Sequence, residues 1–186
     1  MKTHPTLSEK QTEFLDGEFG MFFHFGIRSF YPGHVDWDGR EMPLSGFCPT
    51  SLDCFDWTET ARRAGAKYAI LTAKHHDGFA LWPSAYTEYS VKNTPWKNGK
   101  GDVVAEFVAA CRRSGLKVGL YYSPAQWGNS AVSFENAKEY DDYFISQVGE
   151  LLTNYGKIDY LWFDGCGSEN DEYDKARIVR EIRRLQ

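Results

Sequence analysis

Side chains able to attack, move protons or hold polar ligands gather in four clusters, each following a short apolar run. Gly20-Met21-Phe22-Phe23 leads into His24, and Tyr68-Ala69-Ile70-Leu71-Thr72 leads to Lys74-His75-His76-Asp77. Val118-Gly119-Leu120 leads into Tyr121-Tyr122-Ser123, and Ile158-Asp159-Tyr160-Leu161 leads into Trp162-Phe163-Asp164. A carboxylate such as Asp164 can serve as nucleophile, base or metal ligand, although Asp-Gly is also a common turn dipeptide. Strand alternation places Trp162 and Asp164 on one side, and it turns His24 away from Phe23 and Phe25. By the same rule His75 and His76 are expected to point to opposite sides, one into a site and the other anchoring its loop or contacting a different part of the ligand. Tyr121 offers a hydroxyl and Trp162 a ring face. Trp37, between Asp36 and Asp38 in the loop after the first run, reads equally as a ligand platform or a loop anchor.

The elements that must position these clusters are βα units. Ala61-Arg62-Arg63-Ala64-Gly65-Ala66-Lys67-Tyr68 is echoed by Cys111-Arg112-Arg113-Ser114-Gly115-Leu116-Lys117-Val118, with a weaker third copy around Asn154-Tyr155-Gly156-Lys157. Each copy reads as a helix end, a glycine where positive φ is easy, and then a buried strand. Asp56-Trp57-Thr58-Glu59 has the form of a capping box, and Asp102 can cap the next helix. The pattern predicts helices over 7–16, 56–64, 102–114 and 134–155, with a last one from about 172 or 174. It predicts strands over 19–25, 67–73, 116–122 and 157–163. The helix-to-strand turns are tight and the loops after strands are long, as expected where the post-strand face carries function.

Composition narrows the function. The net charge is -5, with no Lys/Arg run longer than two, so the clustered phosphate neutralisation of nucleic-acid binding is not expected. Apolar runs fall far short of the roughly 20 residues of a membrane span. No apolar leader follows Met1, which leaves localisation open, since a removed leader would give the same sequence. The four cysteines, at 48, 54, 111 and 166, fit no zinc template; Cys111 reads as core, and Cys48 and Cys54 could be joined but are expected to be free thiols. No phosphate loop or dinucleotide fingerprint occurs, and no cofactor is expected. The aromatic share of 16% is high, and rings crowded near polar clusters suit the C–H faces of sugars.

Four βα units make half of an eightfold barrel, and such barrels take about 250 residues. The expected fold is therefore α/β, a TIM-like (β/α)8 barrel, with residues 1–186 supplying about the first four units. A small open parallel sheet is the alternative.

The blocks Phe22-Phe23-His24-Phe25-Gly26, Lys74-His75-His76-Asp77-Gly78-Phe79, Gly119-Leu120-Tyr121-Tyr122-Ser123 and Leu161-Trp162-Phe163-Asp164-Gly165 resemble the α-L-fucosidases of glycoside hydrolase family 29. The resemblance spans nearly the whole chain, in order. It implies a TIM-like catalytic barrel, often followed by a β-sandwich. It also implies a retaining exo-hydrolase that releases α-L-fucose from fucosylated oligosaccharides or glycoconjugates. By motif match Asp164 would be the nucleophile. His24, His75 and His76 would bind fucose hydroxyls, Tyr121 and Trp162 would complete the pocket, and Trp37 would contribute from its loop. Some members carry Glu-Trp there, where this chain has Asp36-Trp37. The family's general acid/base lies beyond Gln186, and no motif assigns that role to Glu169, Asp171 or Glu172. The isolated chain is accordingly expected to lack turnover. Two other readings remain open: a metal-dependent barrel hydrolase using His24, His75 and Asp164, and a sugar-binding barrel without a working acid.

Overall fold

The computed structural model describes residues 6–33, 38, 40–125, 136–165 and 172–186. Among these, α1 (Glu9–Leu15) precedes β1 (Gly20–Phe23), α2 (Cys54–Arg63) precedes β2 (Tyr68–Lys74), and α3 (Val103–Ser114) precedes β3 (Lys117–Tyr122). Then come α4 (Ala137–Thr153), β4 (Tyr160–Phe163) and α5 (Lys175–Leu185). The four strands form one sheet in the order β1-β2-β3-β4, and every pairing is parallel. The fold is thus α/β with a parallel sheet; β1, β3 and β4 fall inside their expected ranges, shortened by up to three residues at an end, whereas β2 starts one residue late and runs one residue further, to Lys74.

Local chemistry explains most of the boundaries. Asp102 caps α3 by accepting from the Ala105 amide at 2.8 Å, and Gly115 ends it in the left-handed conformation at φ 71°. Gly65 and Gly156 take positive φ at the equivalent joints, which a side chain would strain. One cap differs from expectation. Asp53, not Asp56, starts α2, with its carboxylate accepting from the Asp56 amide at 2.9 Å. Asp56 instead lies in the first turn, where its charge still complements the positive helix end.

The two sheet faces do different work. Phe23 stacks on Trp57 of α2 at 5.7 Å and meets Phe107 of α3 at 5.7 Å, while Tyr122 packs against Phe144 of α4 at 5.0 Å. Leu71 and Leu120 lie in the same layer and are fully buried, each worth roughly 1.5–3 kcal/mol of transfer free energy. The opposite face carries Gly20 and Phe22 of β1, Tyr68, Ile70 and Thr72 of β2, Gly119 and Tyr121 of β3, and Tyr160 and Trp162 of β4. Phe22 and Trp162 remain nearly half exposed there. At the N-terminal end of that face, Phe14 of α1 reaches Tyr160 at 5.3 Å and Tyr68 at 6.1 Å. Lys117 bonds Glu13 at 2.6 Å alongside.

Large and small residues alternate across this inner face. A Cβ on Gly20 would fall 2.1 Å from the Tyr68 ring, and one on Gly119 would fall 2.5 Å from Cγ1 of Ile70 and 3.2 Å from the Ala69 carbonyl. The Ile70 atom belongs to a β-branched side chain held inside the sheet, so it cannot swing away cheaply. Gly119→Ala is expected to lower unfolding free energy by about 1–3 kcal/mol. Urea denaturation checks this, and an unchanged midpoint would reject the packing role of Gly119.

Candidate active site

The parallel register brings the ends of all four strands to one edge of the sheet, where the clusters meet. The His24 and His75 rings lie 4.4 Å apart, His75 and His76 lie 4.2 Å apart, and His75 stacks on Tyr121 at 5.4 Å with planes 13° apart. The Tyr121 hydroxyl donates to Oδ2 of Asp164 at 2.7 Å. Nε2 of His76 stands 3.7 Å from the same oxygen. Asp164 keeps about a third of its side chain exposed, so a ligand can reach it, whereas His76 is buried. Trp162 and Phe22 meet edge to face at 5.1 Å below this ring of polar groups. The result is a carboxylate flanked by a phenol and imidazoles over an aromatic floor. Imidazoles both donate and accept, and rings cover apolar ligand surface.

A second layer of buried polar groups holds the first in place. The Lys74 ammonium is fully buried, donates to the Ser123 carbonyl at 2.9 Å and lies 4.3 Å over the Tyr122 ring. Nδ1 of His76 contacts the Ser123 hydroxyl at 2.6 Å. Asp77 is buried, accepts from the Phe79 amide at 3.0 Å and faces Nε of buried Arg28 at 3.5 Å. Arg28 also bonds Asp38 at 2.7 Å and the Arg40 carbonyl, which ties the loop after β1 to the loop after β2. From α4, Glu150 accepts from the Trp82 indole at 2.8 Å and from the Ala85 amide at 2.7 Å. Gln147 bridges the Tyr122 hydroxyl at 2.8 Å and the Ser84 hydroxyl at 3.1 Å. The loop after β2 therefore rests on α4 through paired polar groups rather than apolar packing alone.

Of the residues singled out in the sequence, the geometry brings His24, His75, His76, Tyr121 and Asp164 together, with Trp162 beside Phe22 on the floor. Trp37 lies outside the described residues, as do Glu169 and Asp171; Glu172 is exposed. Phe23 and Phe25 both pack on Trp57 while His24 faces His75, as alternation requires. Alternation fails at the histidine pair, whose two rings converge instead of diverging. The physical reason is that β2 ends at Lys74 after a register irregularity between Thr72 and Lys74, and His75 opens a turn closed by the Gly78 amide. Ser123, Lys74, Arg28 and Phe22 had no assigned role. The one signal for Lys74 was a charge closing an otherwise apolar strand. Arg28 carried none, because its partner lies on another loop.

Of the four cysteines, Cys166 lies outside the described residues. Cys48, Cys54 and Cys111 are free, and burial pushes the Cys54 and Cys111 thiols up to about 12, which disfavours the reactive thiolate. Among the described residues, no three His, Cys, Asp or Glu side chains are arranged to hold a metal ion. No described helix is long and apolar enough to cross a membrane.

Comparison with known proteins gives a consistent picture. The family model described as alpha-L-fucosidase matches residues 44–185. Alpha-L-fucosidase 1 of Arabidopsis thaliana is 42% identical over 168 residues, covering 90% of this chain and 32% of that protein. The crystal structure of a glycoside hydrolase 29 family member from an unknown rumen bacterium superposes with a TM-score of 0.87 at 41% identity, covering 98% of this chain and 35% of that one. Alpha-L-fucosidase isoenzyme 1 from Paenibacillus thiaminolyticus gives 0.81 at 35% identity, covering 96% and 48%. The chain spans about a third of the length of its plant relatives.

Burial carries a pH signature at Lys74. Desolvation lowers its pKa from 10.5 to about 7, against the opposing pull of the Asp77 carboxylate. Between those values the unfolded chain holds a proton that the folded chain lacks, so the Lys74 contribution to stability rises with pH. Below about 7 both states are protonated and the gradient disappears. Chemical denaturation from about pH 7 to about pH 9.5 should show the wild type gaining stability relative to Lys74→Met, which has no such titration. A constant difference between the two would mean that Lys74 titrates like an exposed lysine.

Proposed function

The chain belongs to the α-L-fucosidase family, and from that premise we propose that it supplies the first four βα units of a TIM-like barrel in a retaining exo-glycosidase that releases α-L-fucose. The barrel assignment is supported by the unbroken parallel order β1-β2-β3-β4, with α2, α3 and α4 on one face and an aromatic inner face. The reading that residues 1–186 belong to one catalytic domain rests on the same sheet. Fucosylated oligosaccharides or glycoconjugates are the substrates this reading requires.

In this reading Asp164 is the nucleophile. An oxygen of its carboxylate attacks the anomeric carbon as the bond to the leaving oxygen breaks, and that oxygen takes a proton from a general acid. Water then attacks the same carbon and gives a proton to the same group, now a base. The ester bond breaks and the Asp164 carboxylate returns. The second carboxyl group has to stand about 5–5.5 Å from the first. His24, His75 and His76 bind hydroxyls of the neutral sugar, and Tyr121 orients Asp164 through its hydrogen bond. Trp162 covers the apolar ring face, and Trp37 is proposed as the loop contribution. The observation that carries the reading is the convergence of residues from four separate strand ends on the partly exposed Asp164 carboxylate.

The test is hydrolysis of an aryl α-L-fucoside by the protein expressed from its complete reading frame. Asp164→Asn is expected to lower kcat by a factor on the order of 10³ or more. His24→Ala is expected to raise KM by about tenfold, as the loss of a hydrogen bond to the sugar would. Wild-type turnover that survives Asp164→Asn removes Asp164 from the chemistry. Fucose-induced thermal stabilisation without any hydrolysis would replace the enzyme with a sugar-binding barrel.

A further inference from the structure

The Ser123 hydroxyl is completely buried at the end of β3, and its single proton is committed. It donates to the Ala125 carbonyl at 2.7 Å, so the 2.6 Å contact with Nδ1 of His76 must be one in which Ser123 accepts. Nδ1 of His76 therefore carries a hydrogen. In the neutral ring this leaves Nε2, the nitrogen facing Asp164 at 3.7 Å, with a lone pair. The backbone of Ser123 is fixed on both sides. Its amide donates to the Lys74 carbonyl at 2.9 Å, and its carbonyl accepts the Lys74 ammonium at 2.9 Å. Ser123 thus cannot drift from the turn that carries His75 and His76.

We propose that Ser123 is a positioning residue that fixes the tautomer of His76, so that Nε2 enters the Asp164 pocket as a hydrogen-bond acceptor. This rests on the fucosidase reading above and deepens it. An accepting Nε2 can receive a hydroxyl proton from a neutral sugar. The opposite tautomer would aim an N–H at Oδ2 of Asp164, which already accepts from the Tyr121 hydroxyl, and a second donor there would weaken the carboxylate as a nucleophile. The seryl hydroxyl excludes that arrangement without touching the substrate itself.

Nitrogen-15 NMR of histidine-labelled protein, expressed from its complete reading frame, reads the tautomer without any substrate. The expected result is a protonated Nδ1 and a pyridine-type Nε2 for His76 above its titration. A protonated Nε2 overturns the proposal. Kinetics supply the second arm. Ser123→Ala is expected to raise KM for an aryl α-L-fucoside about tenfold, with a smaller change in kcat. In a His76→Ala background the same substitution should change KM by less than about twofold, because the two residues act as one unit. An equal loss in both backgrounds, or an unchanged KM in Ser123→Ala, overturns the proposal. A purely structural role would reduce the titrated fraction of active sites and leave KM alone. Failure of the wild type to cleave fucosides would sink the sugar assignment, and the ring nitrogen shifts would still decide the tautomer.

Discussion

Everything at the candidate site depends on the in-register parallel pairing of four strands. Parallel strands all end on the same side of the sheet, so residues far apart in sequence arrive at one edge simply because each follows its own strand. The pairing of Thr72 with Tyr121 and of Tyr121 with Trp162 sets the row from which Asp164 and the histidines project. A slip of one residue in β4 would exchange Trp162 for Phe163 on the inner face and turn Asp164 away from Tyr121. The register is secured by the helix-facing layer, where Leu71, Leu120 and Tyr122 are fully buried, and by the inner face, where Gly20 and Gly119 leave room for Tyr68 and Ile70.

Above the sheet, order is imposed by buried polar groups. The long segment between β2 and α3 would carry many unsatisfied amides if it were held by apolar contact alone. It is instead tied down by Glu150, Gln147 and Asp77, each with a defined partner. Such groups are costly to bury and costlier to leave unpaired, so each accepts only one arrangement of its neighbours. Rigidity at the site follows from that intolerance. The histidines sit on a turn rather than a strand, and the turn is clamped from below by Lys74 and from the side by Arg28.

The chemistry matches a neutral ligand with many hydroxyls. Among the described residues, the inner rim offers the imidazoles of His24, His75 and His76, the Tyr121 phenol and the reachable Asp164 carboxylate, above the exposed rings of Phe22 and Trp162. A charged ligand would ask for compensating cations at the rim. Among the described residues, the nearby cations Lys74 and Arg28 are buried and bonded to protein groups.

How far the sequence reached can be read residue by residue. The α/β class, the four strands, the three glycine joints and the convergence of His24, Tyr121 and Asp164 were legible, because each follows from short-range rules of periodicity, capping and alternation. The start of α2 at Asp53 was misread because two aspartates three residues apart compete for one cap, and only the backbone geometry decides between them. The shared direction of His75 and His76 was hidden because alternation holds only while a strand lasts, and pairing with β3 decides where β2 ends. The roles of Ser123, Lys74 and Arg28 were invisible for a related reason. Each depends on a partner brought near by the fold, and a hydrogen bond across tens of residues leaves no pattern in either local stretch. Sequence alone determined which residues could do chemistry and which strand each would follow. Tertiary structure alone decided which nitrogen faces the carboxylate, because the orientation of a side chain in a turn is set by its contacts and not by its period.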